Sequence, residues 1–195
     1  MINDNLNIKK PDNLENILFD TIAIQFTALC EEKTGALLRA LSASKPNGRF
    51  LEIGTGTGVS TCWIHDGMSE GSHLKTIELE PENHKIAKKH LGKFKNIEFI
   101  LGDAVSYINS IDEKFDLVFA DTFPGKFSQR ERILESIQIG GYYIIDDLLP
   151  QINWPEDDHP MKVRQLIKFL ENDARFQIIK MNWASGLIIC IRKDN

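Results

Sequence analysis

The chain has 195 residues, of which 42% are hydrophobic and 26% charged, with a formal net charge of -5 and a pI near 5.6. That length suits one domain with a sizeable core. The acidic balance argues against broad nucleic-acid binding, though it allows a local basic patch. Cys30, Cys62 and Cys190 are far apart and odd in number, which argues against a disulfide framework or a zinc knuckle and for reduced thiols in a cytosolic protein. Met1-Ile2-Asn3-Asp4-Asn5 lacks the basic-then-apolar pattern of a signal peptide. No apolar run approaches the roughly 20 residues that span a bilayer.

Residues 1–12 are polar and read as a lead-in ending at Pro11. Leu14, Ile17, Leu18 and Ile22 recur at helical spacing, and a second helix is expected from Thr34 to Ala43 on Leu37, Leu38 and Leu41. Pro46-Asn47-Gly48 closes this helical preamble of residues 1–45. A core spanning residues 49–193 follows in the same domain. Arg49 to Ile53 is the first strand and Val59 to Asp66 its helix. Leu74 to Leu79 is the second strand, and Pro81 suits the first position of the next helix. Ile97 to Leu101 is the third strand, and Gly102-Asp103-Ala104 opens a helix.

Phe115 to Ala120 is the fourth strand, and Phe123-Pro124-Gly125 is a turn. Ser128-Gln129-Arg130-Glu131 has capping-box spacing, and Gly140-Gly141 is expected to stop the helix it starts. Tyr142 to Ile145 is the fifth strand. The 148–160 loop carries Trp154-Pro155, a candidate lid or substrate wall, and the acids Glu156, Asp157 and Asp158. A helix bearing Val163, Leu166, Ile167 and Leu170 then precedes a hairpin, Phe176 to Trp183 and Gly186 to Arg192. Strand–helix alternation implies an α/β fold: a doubly wound, mostly parallel seven-stranded sheet with helices on both faces and an antiparallel C-terminal hairpin. Ligands in such sheets bind beyond the carboxyl ends of the strands.

The richest stretch is Glu52-Ile53-Gly54-Thr55-Gly56-Thr57-Gly58. Glycine lets a ligand approach the backbone closely. The spacing is G-x-G-x-G, with Val59 where a dinucleotide fingerprint places its third glycine, and the Gly-Lys-Ser/Thr of a P-loop is missing. Glu52 would repel phosphate and attract an amino or sulfonium group. Glu78, at the next strand end, has two oxygens to accept both hydroxyls of a ribose. Glu80, directly before Pro81, fits better as a helix cap. Asp103 can accept from an adenine amino group. A ligand with cationic, ribose and adenine parts suits all three acids.

This signature resembles the class I S-adenosylmethionine-dependent methyltransferases. More narrowly, Leu51 to Thr61, with Glu32-Lys33-Thr34-Gly35-Ala36-Leu37-Leu38 ahead of it, looks like the bacterial O-methyltransferase branch that includes catechol and caffeoyl-CoA methyltransferases. The resemblance implies a Rossmann-like methyltransferase fold. It also implies that Glu52, Gly54, Thr55, Gly56, Gly58 and Ser60 hold the methionine part of S-adenosylmethionine. Glu78 would take the ribose with Leu79 beside it, Asp103 and Ala104 the adenine, and Asp121 the region of the transferred methyl.

Asp121 ends the fourth strand, and Asp146 and Asp147 end the fifth. Three carboxylates there repel one another unless a hard divalent cation such as Mg²⁺ neutralises them, or they are solvated loop acids and caps. The resembling branch uses two Asp and one Asn as metal ligands at matching places, and here the third is Asp147. A metal would lower the pKa of an acceptor hydroxyl and orient it. Lys126 is the candidate base, although Pro124-Gly125 separates it further from Asp121 than in catechol-type enzymes; the alternative is a surface lysine. The expected reaction is methyl transfer to a hydroxyl of a small aromatic or diol, with tRNA as an alternative acceptor known in the branch. The N-terminal helices would cover the cofactor or mediate a homodimer. A nicotinamide-dependent oxidoreductase and a non-catalytic cofactor-binding protein are the rival readings. Trp63, His65 and Trp183 read as core or edge residues, while His84, His90 and His159 show no partner spacing, and Pro160 makes His159 a helix start.

Overall fold

The computed structural model describes residues 3–4, 8–150 and 158–194. Trp154, Pro155, Glu156 and Asp157 lie outside the described residues. Two helices, α1 (Leu14–Ala23) and α2 (Glu32–Ala43), precede the first strand. Then come β1 (Arg49–Ile53), α3 (Val59–Gly67), β2 (His73–Glu78), α4 (Pro81–Leu91), β3 (Ile97–Leu101), α5 (Ala104–Ser110) and β4 (Phe115–Ala120). One irregular turn, α6 (Phe123–Lys126), leads to α7 (Arg130–Ser136) and β5 (Ile137–Ile145). Last are α8 (His159–Glu171), β6 (Phe176–Met181) and β7 (Leu187–Arg192).

The described strands form one sheet of seven in the order β3-β2-β1-β4-β5-β7-β6. β1 to β5 run parallel, and β7 pairs antiparallel with both β5 and β6. The chain therefore winds outward from β1 to β3, then returns to start again at β4. The carboxyl ends of β1 and β4, where the order reverses, form the switch point at which such sheets bind ligands.

Side chains alternate across the sheet with period two. Leu51, Ile53, Val118, Ala120, Tyr143 and Ile145 pack on one face with Ile108, Ile133, Leu166 and Leu170 from the helices. Phe50, Leu117, Phe119 and Ile144 pack on the other with Leu14, Ile17, Leu38 and Trp63. Both faces are covered, so the strands read as nearly continuous apolar runs. The register also levels the strand ends, since Ile53 pairs with Ile77 and Ala120, and Ala120 pairs with Ile145. Gly54, Glu78, Asp121 and Asp146 thus each stand one residue past the same rung.

Several local expectations are corrected. Gly140-Gly141 does not stop a helix: α7 ends at Ser136 and the glycines lie within β5. The β4–β5 register slips between Phe115/Ile137 and Leu117/Tyr142, so β5 carries extra residues there, and Gly140 has φ 72. A bulge of this kind needs residues that tolerate unusual backbone angles. No capping box forms at Ser128, because Gln129 is the residue before α7 and has φ 52 with no side-chain cap. Glu80 precedes α4 without a side-chain cap either. On α1, Ile22 is 73% exposed, and the buried stripe is Leu14, Ile17 and Thr21. Thr21 turns inward because its hydroxyl bonds that of Thr57 at 2.8 Å, which fastens α1 to the glycine loop. Trp63 is fully buried and His65 half-buried against Phe94.

Candidate active site

A cleft of about 490 Å³ opens at the switch point. Gly54, Thr55, Gly56, Thr57, Val59 and Ser60 form its floor, Glu78 and Leu79 one side, and Asp121, Thr122, Asp147 and Ser185 the other. The segment from Phe26 to Glu31, between α1 and α2, closes it over. The structure thus brings Gly54, Thr55, Gly56, Ser60, Glu78, Leu79, Asp121 and Asp147 to one cavity. Glu52, Gly58, Asp103, Ala104, Lys126 and Asp146 are not on its surface.

The glycine loop is specified by backbone angles. Gly54, Gly56 and Gly58 have φ of 100, 53 and 97, in the left-handed region that side chains disfavour. Gly54 is also sterically fixed, as a Cβ there would lie 2.2 Å from Thr122 Cγ2. Glu78 clasps the loop, accepting the N–H of Gly56 at 2.6 Å through one oxygen and that of Glu80 at 2.9 Å through the other.

Glu52 does not face the ligand. Its position shares the Phe50 face of β1, so its side chain points under the loop toward α3 and is fully buried. The hydroxyls of Thr61 and Thr76 donate to its Oε2 at 2.5 and 2.6 Å, and Thr55 bonds Thr76 at 2.6 Å. Oε1 is buried with no hydrogen-bond partner among the described residues. Burial pushes the Glu52 carboxyl up to about 7, although the hydroxyls of Ser60, Thr61 and Thr76 pull the other way. A carboxyl raised above its unfolded value favours the folded state at low pH. That contribution is complete below the ordinary 4.5 and is lost as pH rises through about 7. Glu52→Gln should therefore remove on the order of 3 kcal/mol from the stability decline between about pH 5 and pH 8. Urea titrations of both proteins at the two pH values measure this, and an unchanged decline would refute it.

Asp103 is likewise committed elsewhere. It caps α5, its carboxylate accepting the Ser106 N–H at 2.9 Å, the Ser106 hydroxyl at 2.8 Å and the Val105 N–H at 3.3 Å. These bonds hold its carboxyl below the usual range. Ala104 follows it into the helix.

The acidic corner is built differently from a metal ligand set. Asp121 Oδ1 is buried without a hydrogen-bond partner among the described residues. Burial drives its carboxyl well above the ordinary value; the charge of Lys126 opposes that shift, and Asp146, Asp147 and Glu52 reinforce it. Asp146 is 2% exposed and accepts the Ser185 hydroxyl and the Asp147 N–H, the latter at 2.8 Å. Burial raises its carboxyl, while the Ser185 bond and Lys126 lower it. Asp147 sits at φ 57. Among the described residues no three His, Cys, Asp or Glu side chains converge closely enough to hold a metal ion. The expected Asp121, Asp146 and Asp147 set is not such a group as arranged.

Lys126 is not a surface lysine. It is 4% exposed, and its charge acts on Asp121, Asp146 and His159. Sequence reasoning also missed Ser185, Asn83 and the Phe26–Cys30 wall. The Ala184-Ser185-Gly186 turn is a visible signal for the first, since Ala184 and Gly186 take φ 53 and 88. Cys30 reaches the same corner, where burial and Asp146, Asp121, Glu52 and Asp147 push its thiol well up, so it is held as an inert thiol.

Comparison with known proteins agrees with this architecture. A family model described as O-methyltransferase matches residues 20–193. A provisionally named O-methyltransferase of Mycobacterium sp. (strain KMS) is 34% identical over 170 residues, covering 81% of this chain and 76% of the relative. Among solved structures, the O-methyltransferase from Bacillus cereus in complex with SAH superposes at TM-score 0.84 and 22% identity, covering 97% of this chain and 94% of that one. The O-methyltransferase TomG from Streptomyces achromogenes, involved in tomaymycin synthesis and solved with SAM, gives 0.84 at 20% identity over 98% and 94%. The last two likenesses speak for the fold. With a family match running from α1 to the end of β7, and a relative this similar over most of both chains, the protein belongs to the O-methyltransferase family.

Proposed function

We propose that the chain transfers the methyl group of S-adenosylmethionine to a hydroxyl of a small molecule bound beside Asp121. The observation that carries this reading is one cavity floored by the Gly54–Ser60 loop and flanked by Glu78 on one side and Asp121 on the other. The loop takes the methionine end, Glu78 the ribose hydroxyls and Leu79 the neighbouring base. The acceptor oxygen attacks the methyl carbon, the new C–O bond forms, and the C–S bond breaks with its electron pair left on sulfur. The hydroxyl proton passes to the carboxylate of Asp121, which lines the cleft and whose raised pKa makes it a stronger base than an ordinary carboxylate. Alignment of the two reactants supplies most of the remaining acceleration.

The net charge of -5 and the modest cavity favour a small acceptor over tRNA. No helix of the described residues is long and apolar enough to cross a membrane. The three cysteines are unpaired, consistent with a reducing cytoplasmic setting. Calorimetric titration with S-adenosylhomocysteine tests the cofactor assignment. Glu78→Ala should weaken that binding by about 10- to 100-fold, because it removes both the ribose acceptor and the clasp on Gly56. Absence of binding to the wild-type protein would overturn the reading. Release of S-adenosylhomocysteine on incubation with panels of small phenols and diols, against tRNA, identifies the acceptor class.

A further inference from the structure

We propose that Glu52, from beneath the glycine loop, sets how strongly the cleft prefers the sulfonium cofactor to its thioether product, and that this preference grows with pH as the carboxyl loses its proton. The inference rests on the methyl-transfer reading above. Two features carry it.

The first is where the carboxyl sits. Glu52 pairs with Thr76 on β2 and with Phe119 on β4, one rung before the strand ends. Its Oε2 accepts the hydroxyls of Thr61 on α3 and Thr76 on β2. Thr76, whose proton is committed to Glu52, accepts in turn from Thr55 at 2.6 Å. Thr55 lines the cleft, and so does Ser60, the neighbour of Thr61. One carboxyl thus ties the strand side to the helix side of the floor assigned to the methionine end. Glu52, Thr61 and Thr76 have no exposure, so little water screens a charge placed there.

The second is that no cation is bonded to it. Among the described residues Oε2 has its two threonine hydroxyls, and Oε1 is buried with no partner. The titratable groups around Glu52 are Glu78 at the end of β2, Asp121 beyond β4 and Cys30 in the segment over the cleft. No hydrogen bond joins any of these three to Glu52 among the described residues, and α3 offers it the hydroxyls of Ser60 and Thr61. An ionised carboxylate is costly to bury unless a positive charge compensates it. A cation brought into the cleft above is then the group that relieves the ionised form. Burial pushes this carboxyl up to about 7, so its charge changes near neutrality.

S-adenosylmethionine and S-adenosylhomocysteine differ by one methyl and one unit of positive charge on sulfur. Ionised Glu52 attracts the first more than the second, and protonated Glu52 scarcely separates them. By linkage, the sulfonium compound lowers the Glu52 pKa when it binds. Its advantage over the thioether is therefore small below about pH 6, rises through about pH 7 and levels off above. The same charge opposes the loss of positive charge on sulfur during transfer. Its benefit falls on exchange of spent product for fresh cofactor and not on the chemical step. Glu52 is off the cleft surface and acts through the floor as a specificity-determining residue.

The test is calorimetric titration of S-adenosylmethionine and of S-adenosylhomocysteine, without acceptor, from about pH 6 to pH 8, on wild type, Glu52→Gln and Thr76→Val. In wild type the preference for S-adenosylmethionine should grow by about three- to tenfold across that range. Glu52→Gln should match wild type at the acid end and lose the gain at the alkaline end. Thr76→Val keeps the acid but removes one donor to its Oε2, so it should move the midpoint of the rise to higher pH, a displacement that titration of Asp121 would not show. A wild-type preference that stays constant with pH would overturn the proposal, as would a Glu52→Gln protein that keeps the wild-type gain. If Glu52→Gln does not fold, an unmoved midpoint in Thr76→Val overturns it instead. Wild type that binds neither compound at any pH would strike the methyl-transfer reading, and this proposal with it. That outcome is distinct from two measurable affinities in a constant ratio, which strikes the role of Glu52 alone.

Discussion

Replacing Asp121 with asparagine is expected to lower the turnover rate by about two to four orders of magnitude, the range spanned by removal of a positioned general base. Affinity for S-adenosylhomocysteine should stay within a few-fold of wild type. The two side chains have the same shape, so the change removes basicity and charge with little effect on packing. Asp121 lines the cleft, and its Oδ1 has no partner among the described residues to satisfy it. An amide at that point cannot take the hydroxyl proton. Because burial holds the carboxyl well above the ordinary value, wild-type turnover should also fall on the acid side at a higher pH than a solvent-exposed aspartate would give. Single-turnover transfer to an acceptor found in the panel, beside calorimetry of the same variant, separates the two effects. A variant that keeps its rate within a few-fold would remove Asp121 from the chemistry.

The largest loss of stability is expected from Trp63→Ala. Trp63 is fully buried on α3 and is one of the largest side chains with no exposure. Its ring occupies the space left by Gly35 on α2, where a Cβ would lie 2.4 Å from Cδ1 of the indole, and the Arg39 guanidinium lies 5.0 Å from its centroid. Truncation leaves a cavity between two helices that cannot close without moving α3. The cost should be about 3–5 kcal/mol, which lowers the melting midpoint by roughly 6–20 °C for a chain of this size. Differential scanning calorimetry reads it directly. A loss below about 1 kcal/mol would mean that the α2–α3 contact is far looser than the packing here. Because α3 begins at the end of the glycine loop, the same variant should bind S-adenosylhomocysteine more weakly, although no residue of the cleft has been changed.

The sheet was legible because its strands carry apolar residues on both faces, and the turns between strand and helix fall at glycine, proline and aspartate. The cleft was legible because four strand ends terminate in Gly54, Glu78, Asp121 and Asp146, and parallel pairing levels them. What failed did so for local reasons. Glu52 shares a face with Phe50, and the two-residue period alone would have turned it away from the ligand. Gly140-Gly141 stops a helix or kinks a strand with equal ease, and only the pairing partner of β5 decides which. Lys126 could not be placed inside from sequence, because its burial follows from the positive φ of Gly125 and a hydroxyl reaching from Tyr143 on a neighbouring strand.

The layer of Thr55, Glu52, Thr76 and Thr61 beneath the loop has a consequence for affinity. Three glycines in succession give a backbone unusual freedom in solution, and a loop of that composition would ordinarily surrender it when a ligand arrives. Here the linked hydroxyls and carboxyl below, with Glu78 gripping Gly56 from the side, have taken that freedom away before any ligand binds. The entropy of ordering is charged to folding and not to association. Cofactor and product then meet a loop already held by the groups beneath it, and the difference between them is left to the one group in which they differ, the methyl-bearing sulfur.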